Sequence, residues 1–429
     1  MKNVISSRIS GAAFCDGRLS EVHAMPSERK KQKPDKHASG PPAASSFRGA
    51  KRPEATRPGP QLPHHPTAEA GGIVRTGRNS KTAGIGLLAA VPASLTTWPA
   101  LVSQAMLRRK SLRKTAAFRL FSGSSDGVEG VFIDIYGPGA VLNLYEGRVP
   151  PWFVAESLAT ETLSLLAPLG VTAIYAKPFP RDRSRLGGTL PEIVTSPQPL
   201  AGAPLPESFT IRENNYTMEV RLYDGMSTGL FLDQRDNRRF VAEWCAQRSE
   251  NAKSKSNRPR VLNTFAYTCG FSLAAATGGA LTTSVDVSGR YLEWGQRNFE
   301  HNALNAADHR FAKFDTFEYF AYAQRKKLTF DLIILDPPSF STGSKRKNIA
   351  TWSSLQHYPT LIRDAASLLA PRGVILASTN TQELCRQDRL EREIIKGLGS
   401  APQWVQLPPV PIDFAQDHER FAARAFQLA

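Results

Sequence analysis

From Arg260 onward the chain alternates short apolar runs with helical stretches, and this rhythm constrains the fold more than any other feature of its 429 residues. The runs at 261–265, 283–287, 330–335 and 374–377 read as strands. Their apolar residues are nearly continuous, as in strands buried on both faces. Between them lie stretches such as 291–302, where Leu292, Gly295 and Phe299 recur at helical spacing. Strand–helix alternation predicts an α/β fold: a doubly wound, mostly parallel sheet with helices on both faces. Ligands of such sheets bind outside the carboxyl ends of the strands, so the chemistry is sought there.

Upstream the pattern differs. A helix is expected over 93–114, strands near 131–136 and 140–144, a helix over 151–166, a strand at 171–176 and a long loop over 177–208. Asn214-Asn215 between two apolar runs suggests a hairpin. These elements form an expected α+β domain over 93–225, followed by the doubly wound domain over 226–429. Residues 1–92 read as a disordered basic tail, too polar and Pro-rich to offset its ordering entropy.

The net charge of +16 points to a polyanionic partner, in practice nucleic acid. The excess is uneven, because residues 1–100 carry 15 Lys and Arg against 6 Asp and Glu. The tail fits an RNA-contacting arm, an organellar transit segment, a start codon placed too far upstream, or a plain solvated extension. No run of 18 apolar residues occurs, so no membrane-spanning helix is expected. Cys15, Cys245, Cys269 and Cys385 form no CxxC pair and the histidines no HExxH, so no metal site is expected. The cysteines suit a reducing compartment, cytoplasmic, or organellar if the tail is a transit segment. The oligomeric state is left open.

The strand ends carry the candidate site. Asn263 and Phe265 close the first strand, and Tyr267-Thr268-Cys269-Gly270-Phe271-Ser272 follows. Gly270 permits a tight turn into a helix whose amides can hold an anion. Asp286 ends the next strand, placed to accept hydrogen bonds from ribose hydroxyls. Asp315 stands at a further strand end, between the runs at 283–287 and 330–335, in reach of an adenine. Asp336-Pro337-Pro338-Ser339-Phe340 follows the run at 330–335. Its prolines fix φ and remove donors, leaving a stiff loop with an acceptor carboxylate and an aromatic ring that can stack on a flipped base. Lys345, Arg346 and Lys347 follow as candidate phosphate contacts, with a solvated loop as the alternative. Asp233, Gln234 and Arg235 reach either the cofactor or the base, or else begin a salt-bridged helix. His357 and His418 read as surface or core residues rather than catalysts.

These residues resemble the class I S-adenosylmethionine-dependent methyltransferases. The segment 263–272, Tyr291-Leu292-Glu293-Trp294, Arg297-Asn298, Asn302, the Asp336-Pro337-Pro338-Ser339-Phe340 run and the Gly229-Leu230-Phe231-Leu232-Asp233-Gln234-Arg235 run are similar to the large-subunit ribosomal RNA base methyltransferases. Ser125-Asp126-Gly127-Val128-Glu129-Gly130 resembles the middle domain of their PUA-containing members, whose PUA domain has no counterpart here. The resemblance implies S-adenosyl-L-methionine as cofactor and large-subunit rRNA as partner. It places Asn263, Phe265, Tyr267, Thr268, Gly270, Phe271, Asp286, Asp315, Asp336, Gln234 and Arg235 around the cofactor. It places Asp336 to Phe340 and Asn380 around the target base.

One branch of that family methylates cytosine C5, which needs a cysteine to add at C6. Ser378-Thr379-Asn380 stands where that branch carries its cysteine. The guanine-N7 branch has an Asn-containing run there, so the expectation is guanine N7, with cytosine C5 as the alternative. A ribosome-assembly factor that binds RNA without catalysis is the rival of another class. Cys269, where the family has glycine, reads as a small space-filler, and Cys385 as structural.

Overall fold

The structure is a computed structural model that describes residues 94–181, 190–250, 257–341, 343, 351–416 and 420–428. The expected tail over 1–92, Lys345, Arg346, Lys347 and His418 lie outside the described residues.

The N-terminal elements are α1 (Trp98–Arg108), β1 (Ala117–Ser122), β2 (Val131–Tyr136), β3 (Gly139–Tyr145), α2 (Ala155–Leu166), β4 (Ala173–Phe179), α3 (Glu192–Thr195) and β5 (Ala201–Gly202). Pro99 stands in the first turn of α1, where its missing amide has no helical partner to lose. The helix is shorter than the 93–114 expected, because the chain tightens into a 3-10 turn at Lys110–Lys114. The strands form one sheet in chain order, with β3 and β4 parallel and the other neighbours antiparallel. Leu120, Ile133, Leu142 and Ile174 face α1 and α2 in one core with Trp98 and Leu158. Burying each such side chain contributes about 1.5–3 kcal/mol. The opposite face carries Arg119, Asp134, Asn143 and Lys177: Arg119 pairs with Asp134 and Asn143 with Lys177 in the strand registers.

A hairpin follows, β6 (Phe209–Glu213) and β7 (Tyr216–Val220), turning at Asn214 with φ +50°. Next come α4 (Arg235–Glu250), β8 (Arg260–Thr264), α5 (Gly270–Thr277), β9 (Leu281–Asp286), α6 (Gly289–Glu300), β10 (Arg310–Lys313), α7 (Thr316–Arg325) and β11 (Phe330–Leu335). The remainder is β12 (Phe340–Ser341), β13 (Trp352–Ser353), α8 (Ser354–Ala366), β14 (Leu369–Thr379), α9 (Gln382–Cys385), α10 (Arg389–Leu398), β15 (Gln403–Val405) and β16 (Ala422–Gln427).

The second sheet has the order β10-β9-β8-β11-β14-β16-β15. Its first five strands are parallel and β16 runs against both neighbours. The chain winds outward from β8 to β10, then returns to β11, so the order reverses between β8 and β11. Leu332, Ile333, Ile334 and Leu335 are fully buried, alternate ones facing α4 and α5 or α7 and α8. The edge strand β10 was not among the apolar runs, since its four residues are only partly covered. The hairpin packs Ile211, Met218 and Val220 in one cluster with Tyr136, Val141 and Tyr175 of the N-terminal sheet. Asn298 and Asn302 accept from the Glu219 and Thr217 amides at 2.8 and 2.7 Å, fixing it to α6 and its end.

Candidate active site

The loop after β8 holds three non-glycine residues in the left-handed region: Phe265 at φ +54°, Tyr267 at +48° and Cys269 at +62°. Each such residue costs about 1–3 kcal/mol and persists only where its surroundings over-determine it. Asp286 supplies one constraint. Its Oδ2 accepts from the Tyr267 amide and its Oδ1 from the Ser288 amide, both at 2.8 Å. Burial pushes its carboxyl up, against those two bonds. Gly295 of α6 supplies another. A Cβ there would lie 2.4 Å from Cys269 Sγ, so the missing side chain makes room for the thiol. Burial pushes that thiol up to about 12.

Two contiguous cavities open at the carboxyl ends of β8, β9 and β11. The larger, about 670 Å³, is lined by Phe265, Tyr267, Asp286, Asp315, Asp336, Pro337, Pro338, Ser339 and Asn380 among others. The smaller, about 60 Å³, is lined by Asn263, Thr268, Gly270 and Phe271. They share Phe231, Gln234, Phe265, Tyr267 and Asp336. Asn263 Nδ2 donates to Ser272 Oγ at 3.0 Å, and Thr268 Oγ1 to the Gly229 carbonyl at 2.6 Å. Gly229 is at φ +96°, with Trp294 2.4 Å from where a Cβ would stand. The N-cap residue of α5, Cys269, makes no side-chain hydrogen bond to its first turn, whose Gly270 and Phe271 face the smaller cavity.

Asp336 is held from one side. Gln234 Nε2 donates to its Oδ1 at 2.9 Å and Ser378 Oγ to the same oxygen at 2.6 Å. Burial lifts its carboxyl to about 6, and the two donors limit the rise. The Pro338 carbonyl accepts from Trp352 Nε1 at 2.7 Å and Ser354 Oγ at 2.8 Å, which pins the proline loop. Asn380 Nδ2 donates to Asp233 Oδ2 at 2.9 Å.

The structure separates some residues the sequence had grouped. Arg235 leaves the expected cofactor set. Its guanidinium is buried against Asp413, with NH2–Oδ1 at 2.6 Å and NH1–Oδ2 at 3.1 Å. Asp413 Oδ2 also accepts from the Arg119 amide at 2.9 Å, so the pair ties α4 to β1. Asp315 lines the cavity, but its Oδ1 caps α7 by accepting from Phe317 and Glu318 amides at 2.9 and 3.4 Å. That leaves Oδ2 for a ligand. Phe340 is 59% exposed on β12 and does not line the cavity. Ser227, Val287, Phe317 and Trp352 line it without having been singled out, and so does His357, which had read as a surface or core residue. Val287 and Phe317 lie one and two residues past the acids at the strand ends, so the strand-end rule could have found them.

The family described as S-adenosylmethionine-dependent methyltransferase matches residues 191–403. A crystal structure described as "a putative methyltransferase complexed with SAH" is similar at 30% identity and TM-score 0.63, over 78% of this chain and 82% of that one. The chain belongs to the S-adenosylmethionine-dependent methyltransferases. The Bacillus subtilis protein named "Putative ribosomal RNA large subunit methyltransferase YwbD" is 38% identical over 65% of this chain and 64% of its own length. The Deinococcus radiodurans "Ribosomal RNA large subunit methyltransferase" is 29% identical over 77% of each. The Neisseria meningitidis "Ribosomal RNA large subunit methyltransferase K" is 36% identical over 44% of this chain and 49% of that protein. The chain thus spans less than two thirds of the Bacillus relative and about half of the Neisseria one.

The cavities of this methyltransferase fit its family's cofactor. A nucleoside with a charged amino-acid tail needs a carboxylate beside a diol, flat apolar walls and an anion site. Asp286, the walls at Val287 and Phe317, and the uncapped turn at Gly270 supply them in that order. Among the described residues, no group of acids, histidines and cysteines could hold a metal ion, and no helix is long and apolar enough to cross a membrane.

Proposed function

We propose that the chain methylates a base of large-subunit ribosomal RNA, at guanine N7. One observation carries the reading of the atom: among the described residues, no cysteine lines the cavity that holds the Asp336 loop and Asn380. Thr379, at the position of the C5 nucleophile, is fully buried and takes the Thr381 amide on its hydroxyl at 3.1 Å. Cys385 directs its thiol to the Thr379 carbonyl at 3.5 Å, and burial pushes it up to about 12. A half-buried thiol held protonated in this way is a poor nucleophile. The names of the relatives support the substrate class.

S-adenosylmethionine supplies an electrophilic sulfonium methyl when bound. Guanine N7 has its own lone pair and loses no proton on attack, so the protein needs no general base. What it must do is place and dry the base. Gln234 and Ser378 occupy Oδ1 of Asp336, leaving Oδ2 to accept from a ring N–H or amino group. Asn380, oriented by Asp233, offers its carbonyl oxygen beside it. The pinned Pro337-Pro338 loop fixes one wall. Asp286 takes the ribose diol and Asp315 Oδ2 the adenine side.

The test is methyl transfer from labelled cofactor to unmodified large-subunit RNA, with the labelled nucleoside identified by mass spectrometry. 7-Methylguanosine is expected. 5-Methylcytidine overturns the choice of atom. Cofactor binding without label on RNA overturns the substrate.

A further inference from the structure

Phe231 borders three cavities. Two are those already described, and the third, about 190 Å³, shares Ser227, Phe231, Asp233 and Tyr267 with the larger of them. The side chain is 49% exposed. Its backbone is fixed, because Arg238 NH2 donates to the Phe231 carbonyl at 2.8 Å while the same guanidinium is locked to Glu213 at 2.7 and 2.8 Å. A rigid mount with an open ring is suited to contact a ligand.

The third cavity lies against the polar face of the N-terminal sheet, with Arg119, Asp134, Asn143, Tyr145 and Phe179 on that side. Tyr145 and Phe179 lie stacked at 5.0 Å. Asp134 is held by Arg119 Nε at 2.8 Å and by Asn143 Nδ2 at 2.8 Å, leaving Asn143 Oδ1 to accept. Lys177 stands beside Asn143 in register and two residues before Phe179, on the same face. It is 1% exposed and does not itself line the cavity, and among the described residues its Nζ has no hydrogen-bond partner. Burial pushes its ammonium down to about 7, although Asp224 and Asp134 oppose the fall. A buried amine without a partner destabilises a fold unless something completes it. The methyl-transfer site described above makes no use of it.

We propose that this third cavity receives the nucleotide adjoining the methylated one on the same RNA strand, with Phe231 standing between the two bases. Asn143 meets the edge of the second base, and Lys177, its neighbour in the register but outside the cavity lining, backs it from the next strand. Stacking on aromatic rings accepts any base, while the amide adds preference. The proposal rests on the reading that the substrate is RNA.

The experiment compares wild type with Asn143→Ala and Lys177→Met, using unmodified large-subunit RNA and labelled cofactor. The KM for RNA is expected to rise roughly tenfold in Asn143→Ala, the loss of one nucleotide contact, and less in Lys177→Met, which lies behind the lining, with SAH affinity unchanged in both. Lys177→Met removes an unpaired buried cation, so its melting temperature should not fall and misfolding is separable from lost contact. Methyl transfer with unchanged RNA KM in both variants overturns the inference and leaves the proposed function standing. If wild type transfers no methyl to RNA, the proposed function fails. The inference is then decided by ultraviolet cross-linking of a randomised single-stranded RNA 9-mer in the presence of SAH. Cross-links at Tyr145 or Phe179 uphold it, and their absence there overturns it.

Discussion

The two sheets place polar groups in different ways. The seven-stranded sheet is covered by helices on both faces, and its polar residues gather where strands end: Asn263, Asp286 and Asp336. The N-terminal sheet is covered by helices on one face, and its polar residues stand mid-strand on the other: Arg119, Asp134, Asn143 and Lys177. A doubly covered sheet can meet a ligand only at its ends. A singly covered one can meet it across a face. Residues at strand ends can be located by position in the chain, whereas residues on a face need the register.

The largest effect that bears on this comparison is at the joint between the sheets. Arg235→Met strands Asp413 as a buried charge, and breaking such a pair costs about 3–5 kcal/mol. Thermal unfolding should show a lower melting point, and an unchanged one would mean the two sheets do not depend on that tie. Next is the strand end itself. Asp336→Asn should slow single-turnover methyl transfer about 100-fold, in the range for a misplaced reactant, with SAH affinity largely kept. A loss of SAH binding instead would move Asp336 from the base to the cofactor. Asp286→Ala should weaken SAH binding more than tenfold by calorimetry, since hydrogen bonds to a charged group contribute about 1.5–3 kcal/mol each.

A smaller effect concerns pH. With the Asp336 carboxyl at about 6, methyl transfer should decline as pH falls through 6, because the protonated group loses acceptor capacity. Stability moves the other way from this one group. A carboxyl raised on folding binds protons more tightly in the native state, so its contribution is present at low pH and lost as pH rises through 6. A flat rate profile between pH 5 and 8 would place Asp336 outside the rate-determining contact.

The doubly wound sheet was legible because continuous apolar runs such as the one ending at Leu335 have few alternatives to burial on both faces. The edge strand Arg310–Lys313 was not, because partial exposure removes the apolar signal, yet its position shows in Asp315 just beyond it. Asp286, Asp315 and Asp336 could be placed at one cavity because the topology brings strand ends together whatever their separation in sequence. Arg235 could not be placed, since its partner Asp413 is 178 residues away. Nothing local distinguishes a cation that reaches a ligand from one that joins two domains. The polar face of the N-terminal sheet was illegible for a related reason. Asn143 and Lys177 meet through a parallel register that a crossover helix determines.

The close fit of Cys269 against Gly295 also sets an order of permitted change. With cysteine at 269, alanine at 295 collides with sulfur; with glycine at 269, the nearest atom left is the Thr268 carbonyl oxygen at 3.4 Å. Alanine suits a helix interior better than glycine by about 1 kcal/mol, so the same substitution reverses sign with its background. A lineage can therefore acquire it only after position 269 has shrunk, and one that has acquired it cannot regain the cysteine without first giving it up.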